Sequence, residues 1–188
     1  KSTKYFQYQQ KIIVTQIKSG ILLIDQHRAH QQVLYERFLQ NIKTKRSQIQ
    51  KLLFPIHIEL SMSDYELSLE LLNDMNNIGL EIDDFGNNTL VINGIPDDIN
   101  EEECSGLIEN CLENFKNNAE HFKNTTEKLA WSFSKSGAIK AGRSLNNIEM
   151  DHLIDQLFAC DSPYFNAKGK VIISKIDMEE INKRFEKR

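Results

Sequence analysis

The 188-residue chain lacks any apolar run long enough to cross a bilayer. Residues 21–24 make an apolar run of four, and residues 52–56 make one of five when Pro55 is counted, whereas a spanning helix needs about 20. No charged-then-apolar leader opens the chain. Its three cysteines are too few and too scattered for a disulfide framework or a zinc site, which favours a reducing compartment. Because the first residue is Lys1 rather than Met, we expect a fragment of a longer protein.

Proline and glycine are also scarce, at three and eight residues, beside 40% hydrophobic and 27% charged residues. This composition excludes wholesale disorder and is typical of one large or two small folded domains. Basic residues are nearly absent from residues 56–120. This stretch holds 16 acidic residues and one basic residue, Lys116. The remainder holds 22 basic and 11 acidic residues, so the two parts carry −15 and +11.

This charge partition indicates an acidic subdomain inserted into a basic one, although acidic helices that merely cluster would give the same composition. An acidic block repels a phosphate backbone, so any nucleic-acid contact is expected on the basic part.

The periodicity of the apolar residues predicts a mixture of strands and helices. The acidic block is expected to run strand, helix, hairpin, helix, with a capping box from Ser63 to Glu66 and a helix stop at Gly79. The predicted elements are strands over residues 11–17 and 21–24, a helix capped by Asp25 and ending near Asn41, a strand over 54–60, a helix from 63 to 79, a hairpin of 80–85 and 89–92, a helix capped by Asn100, helices over 125–141 and from 146 to about 160, a strand over 171–173, and a helix from Asp177 to Phe185.

The densest polar cluster lies where the second predicted strand meets the first helix. Asp25, His27 and His30 at such a junction could bind a metal or act in acid–base chemistry. Glu36 lies nine residues beyond His27, about 13 Å along a helix axis, so these side chains cannot all bind one ion. Taken alone, the residues favour a helix cap with surface histidines.

The same segment resembles a known family. Residues 24–30 read Ile-Asp-Gln-His-x-Ala-His and are followed by Leu-Tyr-Glu at residues 34–36. Residues 136–145, residues 161–164 and the closing strand and helix continue the pattern. Together these segments resemble the C-terminal domain of the MutL family of DNA mismatch-repair proteins.

This resemblance implies an α+β fold in which a discontinuous dimerisation subdomain carries an inserted βαββα-type regulatory subdomain. On this sequence the former would take residues 1–45 and 124–188, and the latter residues 46–123. The expected function is non-catalytic homodimerisation in mismatch repair, with no cofactor in this domain and the ATPase in an absent N-terminal domain. The expected partners are a second copy, the sliding clamp, and MutS and mismatched DNA through the full-length protein, in the bacterial cytoplasm on the nucleoid.

Many members of the family are metal-dependent nicking endonucleases, and the resemblance maps their site onto this chain. Asp25, Gln26, His27 and Glu36 match the family pattern, and Arg28 replaces an alanine. The remaining ligand positions carry residues that bind Zn²⁺ or Mn²⁺ poorly, namely Gln31, Lys135, Asn166 and Lys168. Ammonium groups near a cation add repulsion of about 4 kcal/mol at an effective dielectric near 20. We therefore predict no metal and no nuclease, with a divergent metal-dependent endonuclease as the rival hypothesis.

The basic residues around this site leave two alternatives open. Lys135, Lys140, Arg143, Lys168 and Lys170 could contact phosphate groups, or they could form only a solvated basic surface.

Residues 50–55 read Gln-Lys-Leu-Leu-Phe-Pro. They resemble the segment by which regulatory subdomains of the family contact the replication sliding clamp. Gln50 would supply an amide, Leu53 an apolar anchor, and Pro55 a restriction on the entropy lost in docking. Short matches arise easily, and Leu53 and Phe54 could simply be core residues. A generic adaptor unrelated to repair remains a further alternative for the whole chain.

Overall fold

The computed structural model describes residues 5–44, 48–96, 99, 101, 104–117 and 122–186. The chain divides into two compact units. We call residues up to Val33 and from Ala138 the terminal unit, and residues from Leu34 to Gly137 the inner unit. The elements are β1 (Tyr5–Tyr8), β2 (Ile12–Ile17), β3 (Gly20–Asp25), α1 (Gln26–Thr44), β4 (Ile49–Glu59), α2 (Met62–Ile78), β5 (Glu81–Gly86), β6 (Thr89–Pro96), α3 (Cys104–Asn117), α4 (Thr125–Gly137), α5 (Asn147–Phe158), β7 (Ile173–Asp177) and α6 (Met178–Phe185). The predicted α+β class is confirmed.

The terminal unit is built on a four-stranded antiparallel sheet with the order β1-β2-β3-β7. Segments from both parts of the chain therefore meet in one sheet. One face of the sheet is covered by the start of α1 and by α5, which bury Ile13 and Ile24 against Ala29, Leu153 and Leu157.

The inner unit has a three-stranded antiparallel sheet with the order β4-β6-β5. Its apolar core is shared with α2, α3, α4 and the second half of α1, and the ring of Phe38 meets that of Phe133 edge-on at 6.3 Å. The element order β4, α2, β5, β6, α3 runs within this unit. The borders of the two compact units lie at 33/34 and 137/138, whereas the predicted subdomain boundaries at 45/46 and 123/124 stay a prediction.

Local signals in the sequence explain how several elements begin and end. The Asp25 carboxylate caps α1, since its Oδ1 accepts the Arg28 amide proton at 2.9 Å, as predicted. Asn146 and Glu149 form the capping box that opens α5. Gly79 ends α2 with a φ of 121°, a conformation that glycine adopts readily. The predicted apolar faces of α1 and α3 are buried, confirming the 3.6-residue period.

Other predicted element boundaries were wrong by a few residues. The N-cap of α2 is Ser61, whose Oγ accepts the Asp64 amide proton at 3.2 Å, so the predicted capping box at Ser63 does not form. The first helix continues to Thr44, beyond the predicted end at Asn41. The predicted cap Asn100 lies outside the described residues.

Strand β1 was not predicted separately. It joins β2 through Gln9 and Gln10, which both have φ near 50°, a turn conformation usually signalled by Gly or Asn. The last strand begins at Ile173 rather than at Val171, and α4 ends at Gly137 rather than at Ala141. No helix among the described residues is long and apolar enough to span a membrane.

Candidate functional site

The junction of β3 and α1 places the predicted Asp25 in a closed set of contacts. Besides capping the helix, its Oδ2 lies 3.3 Å from the Arg28 guanidinium Nε. The same guanidinium donates through Nη1 to the Val171 carbonyl at 2.7 Å. The carboxylate of Asp25 is therefore held by its own helix and matched in charge by Arg28.

The two histidines of α1 both form hydrogen bonds to the backbone of Ile139. The Ile139 carbonyl accepts a proton from His27 Nδ1 at 2.9 Å, and the Ile139 N–H donates to His30 Nδ1 at 3.0 Å. These bonds assign the proton of His27 to Nδ1 and leave Nδ1 of His30 as an acceptor. Both rings are half-buried and hold the chain just after α4.

A buried amide pair occupies two further positions named from the sequence. Gln31 is 4% exposed and Asn166 is 8% exposed, and the Asn166 side-chain NH₂ donates to the Gln31 side-chain oxygen at 3.5 Å. The Asn166 oxygen accepts the backbone N–H groups of Lys168 at 3.1 Å and Lys170 at 3.0 Å. Asn166 therefore shapes the loop that carries these two lysines. Gln31 Nε2 is buried with no hydrogen-bond partner in the described structure.

A second glutamine pair was missed by the sequence reasoning. Gln26 is fully buried and donates to the Arg143 carbonyl at 3.1 Å, while Gln7 donates to the same carbonyl at 2.8 Å. Gln7 also donates to the Gln26 side-chain oxygen and accepts the Leu145 amide proton at 3.2 Å. The glutamine-rich opening of the chain was the only available signal. These bonds attach β1 and α1 to the loop before α5.

The remaining positions of the predicted site lie in the inner unit. Glu36 is half-buried on α1. Lys135 donates to Asn114 Oδ1 at 2.5 Å and lies 5.2 Å from the centre of the Trp131 ring. Across the part of the chain that the structure describes, no three His, Cys, Asp or Glu side chains converge as metal ligands would.

The face of the terminal sheet opposite α1 and α5 is apolar and open. We call this surface, together with the apolar side of α6, the open sheet face. Phe6, Ile21 and Met178 line a groove of about 560 Å³ there. Helix α6 buries none of its residues, and Phe185 is 83% exposed.

The predicted clamp-binding segment lies on β4, at the edge of the inner sheet. The register between β4 and β6 breaks between Lys51 and Ile56, so the intervening residues bulge from the ladder. Leu53 is 90% exposed and Phe54 is 78% exposed. Gln50 and Pro55 are exposed as well. The alternative that Leu53 and Phe54 are core residues is wrong.

These features define an α+β protein of two units, in which both parts of the terminal unit build a sheet with one exposed apolar face. The family described as the MutL C-terminal dimerisation domain matches residues 5–145. The chain belongs to this family.

Full-length relatives support the same assignment. The chain is 35% identical over 185 residues to the DNA mismatch repair protein MutL of Parabacteroides distasonis, covering 98% of this chain and 30% of the relative. It is 37% identical to that of Prosthecochloris aestuarii, covering 97% and 30%, and 36% identical to that of Christiangramia forsetii, covering 96% and 29%. The chain thus spans about 30% of the length of these curated relatives.

Proposed function

We propose that the chain is a non-catalytic homodimerisation domain acting in DNA mismatch repair, and that the open sheet face is the surface that pairs two copies. The observation that carries this proposal is the exposed apolar side of α6. Met178, Ile181 and Phe185 recur at positions i, i+3 and i+7 and so share one side of the helix. The family's description as a dimerisation domain supports the pairing of two copies, and the choice of surface rests on the exposed apolar residues.

Elementary energetics explain why this helix needs a partner. Isolated helices shorter than about 12 residues are marginal in water, and α6 has eight residues. Its polar side is stabilised by ion pairs of Lys183 with Glu179 and of Arg184 with Glu180, worth only about 0.3–0.5 kcal/mol each. A standard interface removes about 800 Å² per partner from water, about 65% of it apolar, so the gross gain is roughly 13 kcal/mol per partner, which association costs largely offset.

Sedimentation velocity at micromolar concentration tests the dimer. We expect a dimer for the unaltered chain and a monomer for Ile181→Glu combined with Phe185→Glu, because two carboxylates would be buried in the interface. The matched control is Ile148→Glu, since Ile148 is 79% exposed on α5, which packs on the covered face of the sheet. A persistent monomer of the unaltered chain, or a dimer that survives the double change, contradicts the proposal.

The proposal that the domain lacks nuclease activity rests on the chemistry of the β3–α1 junction. The resemblance implies a metal there, but the residues present do not fit one. Asp25 is already matched by Arg28, and the buried positions hold the amides of Gln31 and Asn166. Amides are poor ligands for Zn²⁺ or Mn²⁺. His27 uses Nδ1 to hold Ile139, which leaves one ring nitrogen, and no cluster of three His, Cys, Asp or Glu side chains forms among the residues that the structure describes.

Plasmid nicking in the presence of manganese separates this proposal from the rival endonuclease. We expect no strand scission above background at any protein concentration, with Asp25→Asn as the matched variant. Nicking by the unaltered chain that Asp25→Asn abolishes would establish the endonuclease instead.

We further propose that the bulge of β4 docks into a partner with an apolar pocket, and that this partner is the sliding clamp. Leu53 and Phe54 present large apolar surfaces to solvent, which is unusual for a segment without a partner. Gln50 stands on the same exposed stretch and can supply an amide. An edge strand with a bulge offers a peptide that a partner can bind without unfolding the sheet.

The clamp proposal is tested by binding of the purified clamp to immobilised chain. Gln50→Ala with Leu53→Ala is expected to weaken binding by tenfold or more, because an anchoring side chain and an amide contact are both lost. Met62→Ala is the control, since Met62 is an exposed apolar residue on α2 of the same unit. Equal affinities of the two variants would remove residues 50–55 as the site.

In the full-length protein, we propose that pairing of this domain couples mismatch recognition by MutS to downstream factors. The support is that each relative named above is a DNA mismatch repair protein of which this chain matches a 29–30% part. Introducing Ile181→Glu with Phe185→Glu into the full-length protein should raise the mutation rate in cells. Unchanged repair would favour an adaptor unrelated to this pathway.

A further inference from the structure

A basic pocket lies in the terminal unit beside the β3–α1 junction. It encloses about 430 Å³, within the range of roughly 300–1,000 Å³ that small-molecule sites occupy. Four basic residues line it, namely Lys11, Arg28, Lys140 and Lys170, and the only acidic lining residue is Asp25. With histidine neutral, these four basic residues and one acidic residue give the lining a formal net charge of +3.

The three lysines come from separate segments whose backbones are fixed. The Lys11 carbonyl accepts the Gln26 amide proton at 2.9 Å, and the Gly142 amide donates to the Gln10 carbonyl at 3.1 Å. The Lys170 amide is held by the Asn166 side chain at 3.0 Å. The pocket therefore exists before any ligand arrives, which reduces the entropy lost on binding.

The remaining polar lining also favours an anion. Gln9 and Gln10 also line the pocket, and a glutamine side-chain amide can donate hydrogen bonds to an anion. Neither Lys11 nor Lys170 forms an ion pair with any residue that the structure describes. Cations placed close together repel one another, and a bound anion relieves that repulsion.

The distribution of charge between the two units also favours an anionic ligand for this pocket. The terminal unit has 14 basic and 9 acidic residues, a net of +5, whereas the inner unit has 9 basic and 18 acidic residues, a net of −9. Polyanions are therefore attracted to the unit that contains the pocket.

We propose that this pocket binds a phosphate group. Several ammonium groups and a guanidinium suit the multiple oxygens of one phosphate. The group is carried either by a DNA backbone or by free phosphate, and the experiment below separates these two sources. The inference does not depend on the dimer or on the clamp-binding segment.

Fluorescence anisotropy with a labelled DNA duplex measures the first source across salt concentrations of about 50–200 mM. The test variant is Lys140→Gln with Lys170→Gln. The matched control is Lys175→Gln with Lys183→Gln, which removes the same charge from the same unit outside the pocket. Loss of the one backbone phosphate that the pocket holds is expected to lower the slope of log K against log salt by about 0.9, and the affinity at 0.1 M salt by about eightfold. The control should change the affinity by less than about threefold.

Amide chemical shifts of Lys11 and Lys170 measured with inorganic phosphate, against a chloride reference, report the second source. If the pocket variant loses binding of DNA alone, the source is the DNA backbone. If it also loses saturable shifts with inorganic phosphate, free phosphate fills the same site. Circular dichroism of each variant establishes that the fold is retained.

Three results would overturn the proposal. Equal weakening of DNA binding by the pocket and control variants would indicate a diffuse charge effect. Absence of both DNA binding and phosphate-induced shifts would remove the pocket as an anion site. Displacement of DNA by a poly-glutamate peptide at equal charge would assign the pocket to an acidic peptide instead.

Discussion

Gly20 is the residue whose replacement most directly tests how the two parts of the terminal unit are joined. It pairs with Asp177 at the start of β3, and its φ is 148°. A Cβ atom placed on Gly20 would lie 2.0 Å from the Ile176 carbonyl oxygen and 3.1 Å from the Asp177 Cα. Both neighbours are backbone atoms, so they cannot move aside by rotating a side chain.

The change Gly20→Ala therefore carries two costs. The positive φ contributes about 1–3 kcal/mol. Moving the backbone of β7 by about 1 Å to reach an ordinary contact contributes roughly another 1–3 kcal/mol. The sum, about 2–6 kcal/mol, is a large share of the 5–15 kcal/mol that stabilises typical domains.

Gly169→Ala is the control that separates the steric cost of Gly20→Ala from the cost of its backbone conformation. Gly169 belongs to the same unit and has a φ of 71°, but a Cβ on it would meet no atom within 4 Å. It should cost only about 1–2 kcal/mol, from the backbone conformation. Urea unfolding at one fixed protomer concentration measures both variants, because association changes apparent stability. Free energies of unfolding within about 0.5 kcal/mol of each other would refute the close packing of β7 against Gly20.

Two further predictions concern thiols and charge. Burial, with a smaller contribution from a nearby carboxylate, raises the pKa of Cys104 to about 11, and burial raises the pKa of Cys111 well above its ordinary value. Only about one Cys104 in a thousand is a thiolate at pH 8. A disulfide reagent should therefore react with Cys160 alone in the native chain and with all three thiols in denaturant. Fast reaction of two or more thiols in the native chain would contradict this burial. The hydrogen bond from Lys116 holds the pKa of Asp64 below its ordinary 3.8, so Lys116→Ala should cost about 0.2–1 kcal/mol at neutral pH. Since a lowered pKa stabilises the fold above the unfolded value, this cost should shrink as the pH falls below about 3.8, and a cost that persists in acid would contradict it.

The parts of the fold predicted from sequence depend on contacts within one or two helical turns. Asp25 caps the helix that contains Arg28, and Asn146 forms its box with Glu149. Gly79 ends a helix through its own backbone conformation. Such signals are complete within a short window, because every partner lies within a few residues along the chain.

The sequence indicated which residues belong to the candidate site but not which of them contact one another, since those contacts join distant segments. Gln31 and Asn166 are 135 residues apart, and His27 reaches Ile139 across 112 residues. The bonds to Ile139 also explain why α4 ends earlier than the sequence predicted. The Ile139 N–H and C=O bond to histidine side chains, so they are not available to extend α4 beyond Gly137. No pattern near residue 139 contains that information.

The polar groups at the β3–α1 junction are consistent with a site that is stable without a metal ion. A carboxylate at position 31 would be buried beside the Asn166 amide with no cation, which costs several kcal/mol. The neutral Gln31 avoids that cost, and Asn166 turns its oxygen to two backbone amides of its own loop. Arg28 supplies the positive charge that Asp25 requires. Because these side chains compensate one another, a carboxylate introduced at position 31 alone would be a buried charge without a partner.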